Sequence, residues 1–373
     1  MPADTKTFAI CVLPGDGIGT EIMEPCLAIL DHACRKVGGI SLENQIWPAG
    51  AACYAECGEA LPKATMAAAR KADAILLAAM GDPAIRYADG TEITPQIEMR
   101  FELELYAGVR PVRSIAGVPG PLADPRAHVL DFVLIRESTE GLFASYGKGV
   151  VEEAEARDTQ VITRKGSERL FRFAFHLAGQ RKGAGAPGRV TCVDKANVFK
   201  SMAFFRDIFE QIATEFPDLD ANCAYVDAVA LDFVRRPWDF DVLVTENMFG
   251  DILSDLGAGL IGGLGMAPSA DIGDEYAVFQ PCHGSAPDIA GKGLANPAAM
   301  ILSGAMMLDW LGHEHGRDGA IKAAALIRDA VDAAFLTGLK SVEFEGSDGT
   351  APIAEAIMKA LDSAPAQAVA GMG

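Results

Sequence analysis

Positive charge is scarce in this chain. Lys and Arg number 32 against 51 Asp and Glu, a net charge of −19 over 373 residues. Nucleic acid needs a basic surface to neutralise its phosphates, so no nucleic-acid partner is expected. An anionic membrane surface is disfavoured on the same ground. Long apolar runs are missing as well: no stretch reaches the ~18 residues that a membrane span requires. No basic segment followed by an apolar one opens the chain as a signal peptide would. Closely spaced cysteine pairs are also lacking. The eight cysteines are scattered, and the nearest two, Cys53 and Cys57, do not have the Cys-x-x-Cys spacing of zinc and redox sites. Reduced thiols in a cytoplasmic protein are expected. Neither internal repeats nor a long linker appear.

What is present alternates. Residues 8–13 read as a buried strand, 14–19 as a tight turn and 21–36 as a helix. Further strands are expected at 74–79, 129–135, 160–163, 189–193 and 242–245. Helices are expected at 63–71, 168–178, 199–214, 249–256, 297–311, 321–335 and 353–361, with a frayed tail after Ser363. Strands alternating with helices indicate α/β layers. The length suits roughly two domains, with a core large enough to need no disulfides. Gly15-x-Gly17-x-Gly19 departs from the spacing of a dinucleotide fingerprint and lacks a ribose-binding acid ~20 residues on. It reads as a strand-to-helix turn.

Several segments carry chemistry. Asp251 and Asp255 stand four apart after the apolar run 241–245, so a helix places both carboxylates on one face. They are either a solvated face, with Asp251 helping to cap the helix, or a site for a hard cation such as Mg2+. Arg100, Arg110 and Arg136 are able to grip carboxylates bidentately if they converge on one pocket, and otherwise serve as surface ion pairs. Lys195 sits where a strand turns into a helix and is either a surface lysine or a base beside a metal. Asp227 interrupts an apolar run, as a satisfied buried carboxylate or as a third metal ligand. The stretch His283-Gly284-Ser285-Ala286-Pro287-Asp288 is built of small residues that let a ligand approach the backbone. Asp288 there suits ribose hydroxyls and repels a 2′-phosphate, and Asn296 offers an adenine edge both a donor and an acceptor.

Taken in order, Leu13-Pro-Gly-Asp-Gly-Ile-Gly19, Val193-Asp-Lys-Ala-Asn-Val198, Asn247-Met-Phe-Gly-Asp-Ile-Leu-Ser-Asp255 and His283-Gly-Ser-Ala-Pro-Asp-Ile-Ala-Gly-Lys292 resemble the β-decarboxylating dehydrogenases, the isopropylmalate/isocitrate dehydrogenase family. The resemblance implies an α/β fold of two domains sharing a central mixed sheet, not a Rossmann fold. Residues 1–105 and 257–373 would form a discontinuous cofactor-binding domain. Residues 106–256 would form a smaller domain carrying the dimer interface and the metal and substrate residues. It also implies NAD-dependent, Mg2+- or Mn2+-dependent oxidation and decarboxylation of a (2R)-malate-type di- or tricarboxylate. A 3-isopropylmalate enzyme is the first expectation, and a tartrate or D-malate enzyme the alternative. A non-catalytic regulatory subunit is the alternative of another class.

By the same resemblance, Arg100, Arg110 and Arg136 would clamp the substrate, with Thr94 and Gln96 facing its third substituent. Asp227, Asp251 and Asp255 would serve the metal. Lys195 and Asp227 would reach the neighbouring subunit's site in a homodimer. His283, Gly284, Ser285, Ala286, Asp288 and Asn296 would line the cofactor. Two departures stand out. Phe143 occupies the position of the family's proton-donating tyrosine, leaving Tyr146 as the nearby substitute. Gln280-Pro-Cys-His283 replaces the usual Glu-Pro-Val-His.

Overall fold

A computed structural model describes residues 5–365. Strands are β1 (Lys6–Gly15), β2 (Ile40–Ile46), β3 (Ala74–Ala79), β4 (Ala107–Arg113), β5 (Asp131–Glu137), β6 (Val150–Val151), β7 (Ala156–Arg157), β8 (Arg189–Asp194), β9 (Asp220–Tyr225), β10 (Val242–Thr245), β11 (Pro268–Ile272) and β12 (Ala277–Pro281). Helices are α1 (Ile18–Val37), α2 (Ala51–Cys57), α3 (Lys63–Ala69), α4 (Pro95–Glu102), α5 (Arg164–Gly183), α6 (Lys200–Ala213), α7 (Val226–Arg235), α8 (Asn247–Leu260), α9 (Ala298–Glu314), α10 (Asp318–Phe335) and α11 (Thr350–Ser363).

All strands except the β6–β7 hairpin join one sheet, ordered β2-β1-β3-β12-β11-β4-β5-β10-β8-β9. Its flanks are parallel. Its middle, β12-β11-β4-β5, is antiparallel, so the sheet is mixed. One side of the order is built from the two ends of the chain and the other from its middle. Strands β3 and β10 are buried along their whole length, which is why they read as unbroken apolar runs rather than alternating ones. Helix α9 is apolar on nearly all sides and buried between the sheet, α1 and α10. No described helix is long and apolar enough to cross a membrane, and all eight cysteines are free thiols.

Two local expectations change. Residues 160–163 make a single bridge, Val161 to Gly141, rather than a strand. Thr163 instead caps α5, its Oγ1 accepting from Gly166 N at 3.0 Å. Asp251 does not cap α8: Glu246 does, accepting from Met248 N and Phe249 N at 3.1 and 2.7 Å. The tail beyond residue 365 lies outside the described residues. The Gly15–Gly19 turn has a packing reason. A Cβ on Gly17, whose φ is +56°, would stand 2.1 Å from Ser285 O. The turn thus needs glycine to lie against the 283–288 loop.

Candidate active site

One cavity of about 320 Å³ lies over the middle of the sheet, where strand direction alternates. Arg100 from α4, Arg110 from β4 and Arg136 from β5 all line it, as do Asp251 and Asp255 from α8. Sheet register explains the convergence. Arg136 of β5 lies opposite Gly108 of β4, and Gly108 lies opposite Asp271 of β11. A side chain at 108 would stand 2.7 Å from Ser138 Oγ and 3.2 Å from Asp271 Oδ1, so the glycine clears the space between the strands.

The arginines are buried and paired. Asp271, 1% exposed, accepts from Arg100 Nε at 3.1 Å and from Arg110 Nη2 at 3.1 Å. Burial alone would raise its pKa, but Arg100, Arg110 and Arg136 outweigh that and hold it well below the usual carboxylate range. Arg136 donates from Nε to Asn247 Oδ1 at 2.9 Å and from Nη1 to Asp251. Burial, with Arg100 beside it, pushes the Arg136 guanidinium down to about 10. Its plane also lies over the Phe143 ring, 5.0 Å from the centroid.

Asp255 takes no hydrogen bond or ion pair from the described residues. Its pKa is raised, first by burial and then by Asp251. A carboxylate pair that repels itself at the wall of a polar cavity fits a divalent cation, which supplies the missing positive charge and takes oxygen ligands.

Lys195 and Asp227 are elsewhere. Lys195 follows β8, Asp227 lies in the first turn of α7, and they pair at 2.5 Å. Neither lines the cavity. Asp227 is 68% exposed, so the reading of it as a satisfied buried carboxylate is corrected. Within one chain it forms no three-ligand cluster with Asp251 and Asp255; among the described residues the one such grouping is Cys192, Asp194 and Cys223.

Gln96 lines the cavity, and its buried Oε1 has no partner. Thr94 does not line it. Its Oγ1 meets the hydroxyl of Tyr146 at 3.2 Å, and that exposed tyrosine is absent from the lining that includes Phe143. Within one chain the ring on the cavity wall is therefore Phe143, which has no proton to give.

His283 and Gly284 complete the wall. His283 Nε2 is buried without a partner, and burial lowers the ring's pKa, favouring neutral imidazole. Ser285 Oγ donates to Gly81 O at 2.5 Å. Ala286 holds φ +38°, a strained value for a residue with a Cβ. Asp288 is exposed. The Asn296 amide is committed internally, to Glu343 Oε1 at 2.6 Å, Met266 Sδ at 3.1 Å and Ala298 N at 3.0 Å. Both polar atoms of the amide thus have partners within the chain. Asp271 went unread in the sequence, although it interrupts the apolar run 267–272 as Asp227 interrupts its own.

Known proteins resemble this chain along nearly its whole length. Residues 9–357 match the family model described as isocitrate/isopropylmalate dehydrogenase. The 3-isopropylmalate/3-methylmalate dehydrogenase of Methanocaldococcus jannaschii is 42% identical over 94% of this chain and 98% of its own. A probable tartrate dehydrogenase/decarboxylase of Bacillus subtilis is 35% identical over 95% and 98%. The crystal structure of isocitrate dehydrogenase from Methylococcus capsulatus superposes with a TM-score of 0.83 at 38% identity, covering 95% of this chain and 99% of that one.

Proposed function

The chain belongs to the isocitrate/isopropylmalate dehydrogenase family, and from that premise we propose that it oxidises and decarboxylates a (2R)-malate with a substituent at C3, in the manner of a 3-isopropylmalate dehydrogenase. The observation that carries the proposal is the single cavity in which three guanidiniums face two aspartates. Dianionic substrates need such cations, and three clustered guanidiniums repel one another and lose hydration unless anions face them.

NAD and Mg2+ or Mn2+ are the cofactors that the residues fit. Asp251 and Asp255 would hold the metal, with Asp227 supplied by a second copy. The metal, when bound, supplies Lewis-acid polarisation of the substrate oxygen. NAD, when bound, would supply the hydride acceptor. The protein does the rest. Arg100, Arg110 and Arg136 fix the carboxylates so that the C2 hydrogen points at the cofactor, an orientation effect. Lys195, brought in by the partner, takes the proton from the 2-hydroxyl. Backbone at Gly284 and Ser285 would lie against the cofactor, and Asp288 would favour NAD over a 2′-phosphorylated analogue by charge. Residues 1–105 with 257–373, and 106–256, would be the two bodies that close over the cavity.

Two features support a homodimer with shared sites. Lys195 and Asp227 are missing from the cavity of their own chain. Leu231 and Val234 on α7 and Ile252 on α8 are 54%, 55% and 62% exposed, an apolar face that a second copy would cover.

Phe143 favours a second reading, a family member that has lost turnover. One assay separates the two: NADH formation on a panel of (2R)-malates (isopropyl-, methyl-, hydroxy- and unsubstituted) with NAD and Mg2+, with CO2 measured alongside. Both products are expected from at least one malate. NADH without CO2 would trace the block to Phe143. NAD binding without turnover on any of them would favour the regulatory reading.

A further inference from the structure

Two of the three arginines reach the cavity with a buried carboxylate already between them. Asp271 Oδ2 accepts from Arg100 Nε at 3.1 Å and lies 3.1 Å from its Nη2 in an ion pair, and Oδ1 accepts from Arg110 Nη2 at 3.1 Å. Gln280 Nε2 donates to Oδ2 at 2.7 Å, and Ser138 Oγ reaches Oδ1 at 3.4 Å. A guanidinium has five N–H groups. Arg110 spends its Nη1 on the carbonyls of Val109 and Ala270, at 3.1 and 2.8 Å. Only its Nε and one N–H of Nη2 remain for a ligand. On Arg100, Asp271 takes the Nε edge and leaves Nη1 free.

A carboxylate among arginines can either compete with an anionic substrate or hold the arginines for it. Asp271 cannot turn away when a ligand arrives. It belongs to a central strand, is buried throughout, and is tied to Gln280 and Ser138 as well as to the arginines. What it does instead is fix two long side chains that would otherwise lose much rotamer freedom on binding. It also offsets the mutual repulsion of three clustered cations.

Resting on the dehydrogenase reading above, we propose that Asp271 is a positioning residue: with Gln280 it sets Arg100 and Arg110 as one preformed fork whose remaining N–H edges receive the carboxylates of the substrate. Gln280 is the neutral half of this pair. Because acid and amide are in direct contact, the fork needs one negative charge between positions 271 and 280, and either position can supply it.

The test is the dissociation constant of (R)-malate, by calorimetry on the full-length protein, with kcat and KM measured on whichever malate the wild type turns over. Asp271→Asn is expected to weaken binding roughly ten-fold or more, as loss of one partner from a buried charge cluster does, and to raise KM more than it lowers kcat. Gln280→Glu sets two carboxylates side by side and is expected to weaken binding too. The double variant Asp271→Asn/Gln280→Glu restores a single carboxylate and is expected to return to within about three-fold of wild type, a non-additivity that marks direct coupling. General damage to the fold would accumulate instead of cancelling. Unchanged or tighter binding in Asp271→Asn, or a double variant no better than its worse parent, overturns the inference. Should Asp271→Asn not fold, Gln280→Glu and the double variant decide alone. The expected binding pattern in a wild type that never forms NADH would support the fork and sink the dehydrogenase reading.

Discussion

Asp255 and Asp271 carry the same group into the same region and meet opposite fates. Burial raises Asp255, with Asp251 adding to it, whereas three arginines hold Asp271 low despite complete burial. The difference has a consequence for stability. A carboxylate with a depressed folded pKa contributes stability above its unfolded value, near 3.9. That contribution is lost as pH falls through the folded value. The advantage of wild type over Asp271→Asn in urea midpoint is therefore expected to be constant between about pH 5 and 8 and to shrink below about pH 4. An advantage that instead grew in acid would show that Asp271 is not ionised in the folded state. Nothing in the sequence distinguished this aspartate. It stands in an apolar run like Asp227, yet one is sealed among arginines and the other is 68% exposed. Which fate applies depends on strands far apart in the chain: Asp271 meets Arg100 across 171 positions and Arg110 across 161.

Helix α8 shows what element-scale packing requires. It crosses β5 so closely that a Cβ on Gly250 would lie 2.6 Å from Arg136 Cγ and 2.7 Å from its Cβ. Those atoms belong to the buried stem of the side chain, not to a mobile tip. Replacing an interior helical glycine by alanine gains up to ~1 kcal/mol in propensity. Overpacking costs typically ~1–3 kcal/mol, so the net effect of Gly250→Ala is destabilising. It should lower the melting temperature and, by moving Arg136, raise KM for the malate. Gly179 on α5 is the control, since a Cβ added there would meet nothing within 4 Å. Gly179→Ala should raise the melting temperature and leave KM alone. Equal effects of the two changes would remove the contact argument.

The long helices α1, α10 and α11 were legible in the sequence because their apolar period persists for several turns, α9 because its apolar run is too long for a strand, and β3 and β10 because they are buried on both faces. Strands β11 and β12 were not, since five residues each, bounded by proline, give too short a pattern to separate from loop. The segment 160–163 misled in the other direction. Its β-branched residues favour a strand, but cap chemistry at Thr163 prevailed.

At the scale of the whole molecule, the proposed site residues fall into two groups. Three arginines and two aspartates line the cavity, while half-buried Lys195 and exposed Asp227 pair with each other outside that lining. The apolar face of α7 and α8 joins these facts, because a two-fold contact through it would carry each Lys195–Asp227 pair to the other subunit. This geometry permits a test that needs no further structure. Lys195→Met and Asp251→Asn should each abolish turnover. Mixed and allowed to exchange subunits, the two variants form hybrid dimers as half of the population if pairing is random. In each hybrid one site combines an intact Asp251 with the partner's intact Lys195, and the other site lacks both. Activity should therefore return to about a quarter of wild type. Sites complete within one chain would give none, since every chain in the mixture carries a lesion. A mixture that exchanges subunits, verified by mass, and stays inactive would place Lys195 and the metal aspartates in the same subunit's site. The exposed apolar face would then need another explanation. Ile252→Asp, which puts a charge at the centre of that face, should accordingly yield monomers on gel filtration and abolish turnover while leaving the arginine cavity itself untouched.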